Sequence, residues 1–181
     1  MKTDEVNKAL TEFGERVIER AKANLKKAGS HGSYNASNAL SNSLSFQLKT
    51  SDRSIAFDFY AEEHWKFLDY GVKGKVSSAK APNSPFKFGT GTGKKGGLRG
   101  AIDKWVVRKG LAGTRGKDGK FLSRKQMVSM ISRSIYLKGT SETKFFRNAF
   151  EKSFETLDDT LVEKYGLDLE TFLKFTLKEI N

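Results

Sequence analysis

The apolar residues of this chain change period once between Asp4 and Tyr60, and that change limits the folds open to it. Val6, Leu10, Phe13, Val17, Ala21 and Leu25 recur at helical spacing from Asp4 to about Ala28. Asp4 and Glu5 stand in the first turn and Lys26 and Lys27 in the last, the arrangement the helix dipole favours, and Gly29 supplies the stop. A Ser-, Asn- and Gly-rich stretch follows, Ser30 to Ser43, read as a loop with one helical turn near Asn38 to Ser41. The period then falls to two. Leu44, Phe46 and Leu48, and then Ile55, Phe57 and Phe59, alternate with other residues on either side of the polar turn Ser51-Asp52-Arg53-Ser54. This predicts an antiparallel hairpin with one apolar face, onto which the first helix can pack. A hairpin alone is marginal in water, so the chain needs further strands or a partner.

The later elements are mostly helical. Glu62 to Tyr70 is short and aromatic, and Gly71 ends it. Leu98, Ile102, Trp105, Val106 and Lys109 outline a three-turn helix with Gly110 as its stop. Ser123-Arg124-Lys125-Gln126 fits a capping box, opening a helix with Met127, Ile131, Ser134 and Ile135 inward and Gly139 at its end. Phe146, Phe150, Phe154, Leu157 and Leu161 mark a longer helix from about Glu142 to Tyr165. After Gly166, Asp168 can cap a last helix with Leu169, Phe172, Leu173, Leu177 and Ile180 inward. The expected fold class is α+β: a hairpin or small sheet packed by a long N-terminal helix and several C-terminal helices. No repeat or linker divides the chain, so residues 1–181 are expected to form one domain, with a helical C-terminal extension over 151–181.

Between these elements lies a stretch of a different kind. From Val72 to Ile102 the chain carries Lys73, Lys75, Lys80, Lys87, Lys94, Lys95 and Arg99, and no acid until Asp103. Pro82, Pro85, Gly89, Gly91, Gly93, Gly96 and Gly97 keep it out of regular structure, apart from a short strand that Phe86-Lys87-Phe88 could form. A long basic loop over 72–100 is expected, with Val72 to Gly97 flexible in the free subunit and ordered in the assembly, because it has too little apolar surface to offset its ordering entropy. The whole chain has 33 Lys and Arg against 21 Asp and Glu, a net charge of +12. An excess of this size implies a polyanion or an acidic protein surface as neighbour. The tail beyond Gly139 is nearer balance, so the charge is concentrated in one region. No apolar run approaches the about 18 residues of a membrane span. Met1-Lys2-Thr3-Asp4-Glu5 has no apolar signal core, so neither membrane insertion nor secretion is expected.

Catalysis has little to work with. There is no cysteine, which removes disulfides, thiolate zinc sites and cysteine nucleophiles together and fits a reducing compartment. His31 and His64 are the only histidines. Glu62-Glu63-His64 could hold an ion weakly but reads better as a solvated helix start, and no triad motif surrounds either histidine. Gly91-Thr92-Gly93-Lys94-Lys95-Gly96 spells G-x-G-x-x-G. A dinucleotide site needs a strand before it, a helix after it and an acid about 20 residues on. Here the strand is at best Phe86 to Phe88, and Asp118 sits in a turn. A phosphate-binding P-loop fails too, with Phe88 in place of its first glycine and Lys95 in place of Ser or Thr. No catalytic residue, cofactor or metal is therefore expected, and no enzyme activity. Trp65, Phe67, Tyr70, Phe86, Phe88 and Trp105 interleave with lysines, as in platforms that bind single-stranded nucleic acid. Trp105, at helical spacing with Ile102, reads instead as core. Phe86 and Phe88 suit a partner contact and a core position equally.

The order of these signals resembles that of the tail-completion (neck) proteins of long-tailed bacteriophages, relatives of the tail terminators. The resemblance is carried by the hairpin, Phe67-Leu68-Asp69-Tyr70-Gly71, the proline-containing basic loop, Ile102-x-x-Trp105-Val106-x-x-Lys109-Gly110, Ile131-x-x-x-Ile135, Gly139 and Phe145-Phe146, and it covers Leu44 to Phe150. The Thr114 to Lys120 turn and the helices after Phe150 exceed the usual pattern. The resemblance implies a small α+β structural virion protein, assembled in the host cytoplasm. Such proteins form a ring, hexamer or dodecamer, at the head–tail junction, between head connector or adaptor and tail tube, around the channel for duplex DNA. An unpaired hairpin edge can then join the next subunit head to tail. Lys73, Lys75, Lys80, Phe86, Lys87, Phe88, Lys94, Lys95 and Arg99 would contact a neighbouring ring or face the DNA. The first is preferred, because each lysine–phosphate contact would slow a sliding duplex. The alternative is a basic nucleic-acid-binding module outside any virion.

Overall fold

The computed structural model describes residues 2–29, 32–33, 37–51, 54–90, 97–111, 115–116, 119–165 and 173–180. The order of elements is α1 (Lys2–Lys26), β1 (Ala28–Gly29), β2 (Gly32–Ser33), α2 (Ala39–Ser43), β3 (Ser45–Ser51), β4 (Ser54–Glu62), α3 (Trp65–Tyr70), β5 (Val72–Lys73), α4 (Gly97–Arg108), α5 (Arg124–Lys138), β6 (Gly139–Thr140), α6 (Phe145–Tyr165) and β7 (Leu173–Ile180). The fold class is α+β. Where the sequence predicts one domain, the chain groups into two compact units, one of residues 1–65 with 144–181 and one of residues 66–143.

The first unit is built on the hairpin and α1. Strands β3 and β4 pair with Phe46 opposite Phe59 and Leu48 opposite Phe57, so the alternating apolar positions share one face. From α1, Leu10, Phe13, Val17, Ala21 and Leu25 are buried, which is the predicted stripe apart from Val6, which is half-buried. Phe57 and Phe59 stack at 6.0 Å between centroids. Phe13 meets Phe57 edge-on at 5.2 Å and Phe150 of α6 at 5.7 Å, while Phe59 meets Phe146 at 5.3 Å. Each fully buried side chain of this size contributes roughly 1.5–3 kcal/mol, so this aromatic cluster dominates the unit's stability. Gly14 sits inside α1, where a helix interior disfavours glycine. A Cβ there would run into the Phe46 ring, so its lack of a side chain sets the distance between helix and sheet. On the other face of the hairpin, Lys49 reaches the buried Asp58 at 2.7 Å, and the Tyr60 hydroxyl donates to Gln47 Oε1 at 3.2 Å.

The C-terminal segment corrects one expectation. Leu173–Ile180 is a strand, not a helix. It lies parallel to β4, with Ile55 opposite Leu173 and Glu62 opposite Ile180, in a sheet of order β3-β4-β7. Leu173, Leu177 and Ile180 fit a helical period, but Leu173, Phe175 and Leu177 also alternate with Lys174, Thr176 and Lys178. A short apolar segment of this kind is ambiguous in period, and the open edge of β4 decides it. Of the helical extension expected over 151–181, the described part is helix to Tyr165 and strand over Leu173–Ile180. The third strand supplies the support that a two-stranded hairpin lacks.

In the second unit, α4 and α5 pack around Val106, Met127 and Val128, with Ile102, Trp105, Leu111, Leu122 and Ile131 partly buried against them. The capping box is present in full. Ser123 Oγ accepts from the Gln126 N–H, and Gln126 Oε1 accepts from the Ser123 N–H at 2.9 Å. The buried side of α5 is rotated from the expected one: Val128 and Ser132 are buried alongside Met127, while Ile131 and Ile135 are half-buried and Ser134 is exposed. Helix α4 starts at Gly97, so Arg99 is helical and the basic segment is shorter than expected.

Two stability predictions follow from these contacts. Gly14→Leu gains helix propensity of about 1 kcal/mol but displaces Phe46, and overpacking of this kind costs about 1–3 kcal/mol. A lower urea midpoint is expected, and an unchanged one would mean that α1 can shift freely. Trp105→Ala removes a partly buried anchor from a small core. A loss of about 2–3 kcal/mol, just below the usual range for a fully buried tryptophan, is expected in the same measurement.

Candidate functional site

Helix α5 ends with carbonyls that have no partner within the helix, as every helix does. The basic segment supplies the donors. The amide of Lys75 donates to the Tyr136 carbonyl at 2.9 Å, and those of Val76 and Ser77 donate to the Leu137 carbonyl at 3.1 and 3.2 Å. Lys80 Nζ donates to the Gly139 carbonyl at 3.2 Å. Strand β5 pairs antiparallel with β6, which follows α5 directly. Lysines here also lie at the negative end of the α5 dipole, where cations are favoured.

The segment is further tied to itself. The Lys73 amide donates to the Phe86 carbonyl and the Phe88 amide to the Lys73 carbonyl, both at 2.9 Å, so Lys87 bridges to Lys73 as a one-residue parallel strand. Buried Ser84 donates through Oγ to the Gly71 carbonyl at 2.7 Å and accepts from the Phe86 amide at 3.1 Å. Gly139, at φ +78°, has no room for a Cβ against the Val72 carbonyl, and Gly74 has none against the Leu137 carbonyl. The flexible loop expected over 72–100 is thus a folded segment over 72–90. Backbone hydrogen bonds and glycine contacts hold it, together with buried Val72 and Ala81 and the packing of Phe86 and Phe88.

The predicted contact residues fall into three groups. Lys73, Lys75, Lys80, Phe86, Lys87 and Phe88 are brought together by this segment. Arg99 stands apart on the exposed side of α4, and Lys94 and Lys95, with the whole Gly91–Gly96 motif, lie outside the described residues. The aromatic residues are engaged within the units. Phe86 packs on Phe67 at 4.7 Å and on Tyr70 at 6.3 Å, and Phe88 on Tyr136 at 6.1 Å. Lys75 Nζ lies 5.9 Å from the centroid of the Tyr136 ring. Trp65 packs on Phe146 at 6.3 Å. Glu62 and His64 face each other at 3.1 Å, both partly or fully exposed. No group of three metal-ligating side chains occurs among the described residues.

The charge divides with the units. Residues 66–143 hold 18 Lys and Arg against four Asp and Glu, a net +14, while the remainder holds 15 against 17, a net −2. The few acids of the basic unit do little to offset it at the surface. Asp69 is fully buried. Asp103 of α4 is taken by Arg124 of α5, whose Nε donates to Oδ1 at 2.7 Å and whose second nitrogen donates to Oδ2. The Arg124 hydrogen bonds hold the Asp103 carboxyl below the ordinary carboxylate value. The pair's support is therefore present above that range and is lost as pH falls through it. Being exposed, it is also screened by salt. The exposed large apolar residues among those described are Phe67, Val76, Val107, Phe121 and Met130, and all five belong to this unit.

Compared with known proteins, the chain matches no family model, no curated protein and no solved structure.

Ser84→Ala leaves a buried carbonyl and a buried amide without their partner, at a cost of about 1–3 kcal/mol. The same change should accelerate hydrogen exchange at Phe86 and its neighbours Lys73 and Phe88. In the wild-type monomer the amides of Lys73, Lys75 and Val76 should exchange slowly. Fast exchange there would show that the segment does not cap α5 in solution.

Proposed function

We propose that the chain is a structural protein of a tailed bacteriophage virion, acting by assembly at the head–tail junction as a tail-completion or neck component. The observation that carries this reading is the segregation of charge. One compact unit holds the entire positive excess, together with every exposed large apolar side chain among the described residues. A surface of that composition is suited to docking on a partner. The motif order from Leu44 to Phe150 supports the same reading, as does the sheet, in which β3 stands at one edge among the described strands. A free edge of this kind can pair with the next copy and close a ring. In this reading the partners are other copies of the chain, the head connector or adaptor on one side and the tail tube on the other. The segment carrying Lys75 and Lys87 meets acidic residues of a neighbouring ring.

The second reading, a basic nucleic-acid-binding module, rests on the same +14 unit. Sedimentation of the pure protein with and without a duplex oligonucleotide at physiological salt separates the two. Rings that form alone and ignore the duplex support the neck reading, whereas a monomer that binds the duplex supports the other. Lys75→Glu with Lys87→Glu alters two exposed positions, so the fold should persist. Like-charge repulsion should block joining, leaving full heads and free tails side by side in electron micrographs. Normal yields of joined particles would remove the docking role.

A further inference from the structure

Between α4 and α5, at the turn that exceeds the neck-protein pattern, Arg115 and Phe121 face each other as an isolated antiparallel bridge. The Gly116 amide donates to the Lys120 carbonyl at 2.8 Å, and the Gly119 amide to the Gly116 carbonyl at 3.0 Å. Leu111 before this small hairpin and Leu122 after it are half-buried against the Val106–Met127–Val128 core, so both of its ends are fixed. A Cβ on Gly119 would meet nothing within 4 Å, so no other element covers the turn there. Residues opposite each other in an antiparallel pair set their side chains on one face. The Arg115 guanidinium accordingly lies over the Phe121 ring, 4.7 Å from its centroid. Phe121 is nevertheless 65% exposed, so one face of its ring carries a cation and the other is open to solvent. Folding alone does not explain a phenylalanine here. The bridge needs only backbone groups, and so exposed a ring adds little to the core.

We infer that Arg115 and Phe121 form a binding site for an unpaired nucleotide of a single-stranded nucleic acid. The base stacks on the open face of Phe121, and the adjoining phosphate accepts from Arg115. An arginine lying on an aromatic ring keeps the N–H groups at the edge of its plane able to donate. Among the described residues Arg115 forms no ion pair, so those donors have no carboxylate to hold. Every base has a planar face, and stacking on an aromatic ring beside cations is how single strands are held without regard to sequence. The net +14 of residues 66–143 draws the strand in. A duplex fits less well, because its base faces are covered by their neighbours and freeing one costs unstacking. An acidic protein also fits less well. Leu122 is turned to the core, which leaves one exposed ring at the hairpin, whereas protein interfaces bury clusters of apolar anchors. The inference goes beyond the assembly reading and does not rest on it.

The test uses the full chain at physiological salt and four labelled probes: an oligothymidylate, an abasic strand of the same length, a duplex of that length and polyglutamate. Fluorescence anisotropy gives each affinity. The oligothymidylate should bind about tenfold tighter than the abasic strand, which has the same phosphates and no bases to stack. Phe121→Leu should bring the oligothymidylate down to the abasic level and leave the abasic strand unchanged, while Phe121→Trp should keep the preference. Position 121 is exposed, so neither variant should move the thermal midpoint. Arg115→Gln should weaken both strands. Equal binding of the two single strands, or a preference that survives Phe121→Leu, would overturn the inference. So would Arg115→Gln binding both strands as the wild type does. A duplex bound as tightly as the oligothymidylate would replace it with a plain phosphate surface, and polyglutamate bound as tightly would replace it with an acidic protein partner. Ring formation does not enter these comparisons, so the neck reading and the nucleotide site can fail independently.

Discussion

Unsatisfied carbonyls at the end of α5 set the architecture of the basic unit. A helix terminus cannot be buried without donors, and here the donors come from a segment more than sixty residues earlier in the chain, the Lys75, Val76 and Ser77 amides. That arrangement requires the chain to pass close beneath the helix end, which in turn requires glycine at positions 74 and 139, where a Cβ would strike carbonyl groups of Leu137 and Val72. Gly71 accepts from Ser84, and Ser84 closes the turn that returns Phe86 to Lys73. Lysines in this segment therefore have a local reason to be present. Lys80 donates directly to the helix end, and Lys75 lies over Tyr136. Lys87, exposed and with its backbone alone engaged in the bridge to Lys73, is the one most available to something outside.

Periodicity made much of the scaffold legible. The stripe of α1, the register of the β3–β4 hairpin and the Ser123 capping box all follow from short-range patterns that the structure keeps. What periodicity could not show depends on contacts between distant residues. Strand β7 carries a sequence compatible with two periods, and only the open side of β4 chooses between them. Capping of α5 by 75–77 uses backbone amides, which every residue type possesses, so no side chain announces it. The 72–90 segment looks disordered by composition because much of its order rests on backbone hydrogen bonds and glycine contacts, and its few apolar side chains pack on residues distant in sequence. Gly14 is legible in another way: a glycine inside an otherwise strong helical pattern marks a close approach, here by Phe46.

The candidate contact surface was legible in outline for a simple reason: charge is additive along a sequence. An acid-free stretch can be seen without knowing the fold. Its true extent needed the structure, because the net +14 belongs to a compact unit reaching to Thr143 and not to the loop alone. Burial of Asp69 and pairing of Asp103 then remove two of the unit's four acids from the count of groups that could screen its surface.

Stability and charge are unequally shared. The first unit, nearly neutral, has the large aromatic cluster around Phe13, Phe57 and Phe59. The second carries the charge on a core whose buried cluster is Val106, Met127 and Val128. Self-repulsion of like charges opposes the compact state, so it falls on the unit with less apolar burial to resist it. Caps, glycine contacts and the Asp103–Arg124 pair make up part of the difference. A bound acidic surface would supply more, because any ligand that binds only the folded form stabilises it by mass action. The unit most strained by its charge is thus the unit that would gain most from a partner of opposite sign, and this asymmetry is a physical ground for the assembly proposed above.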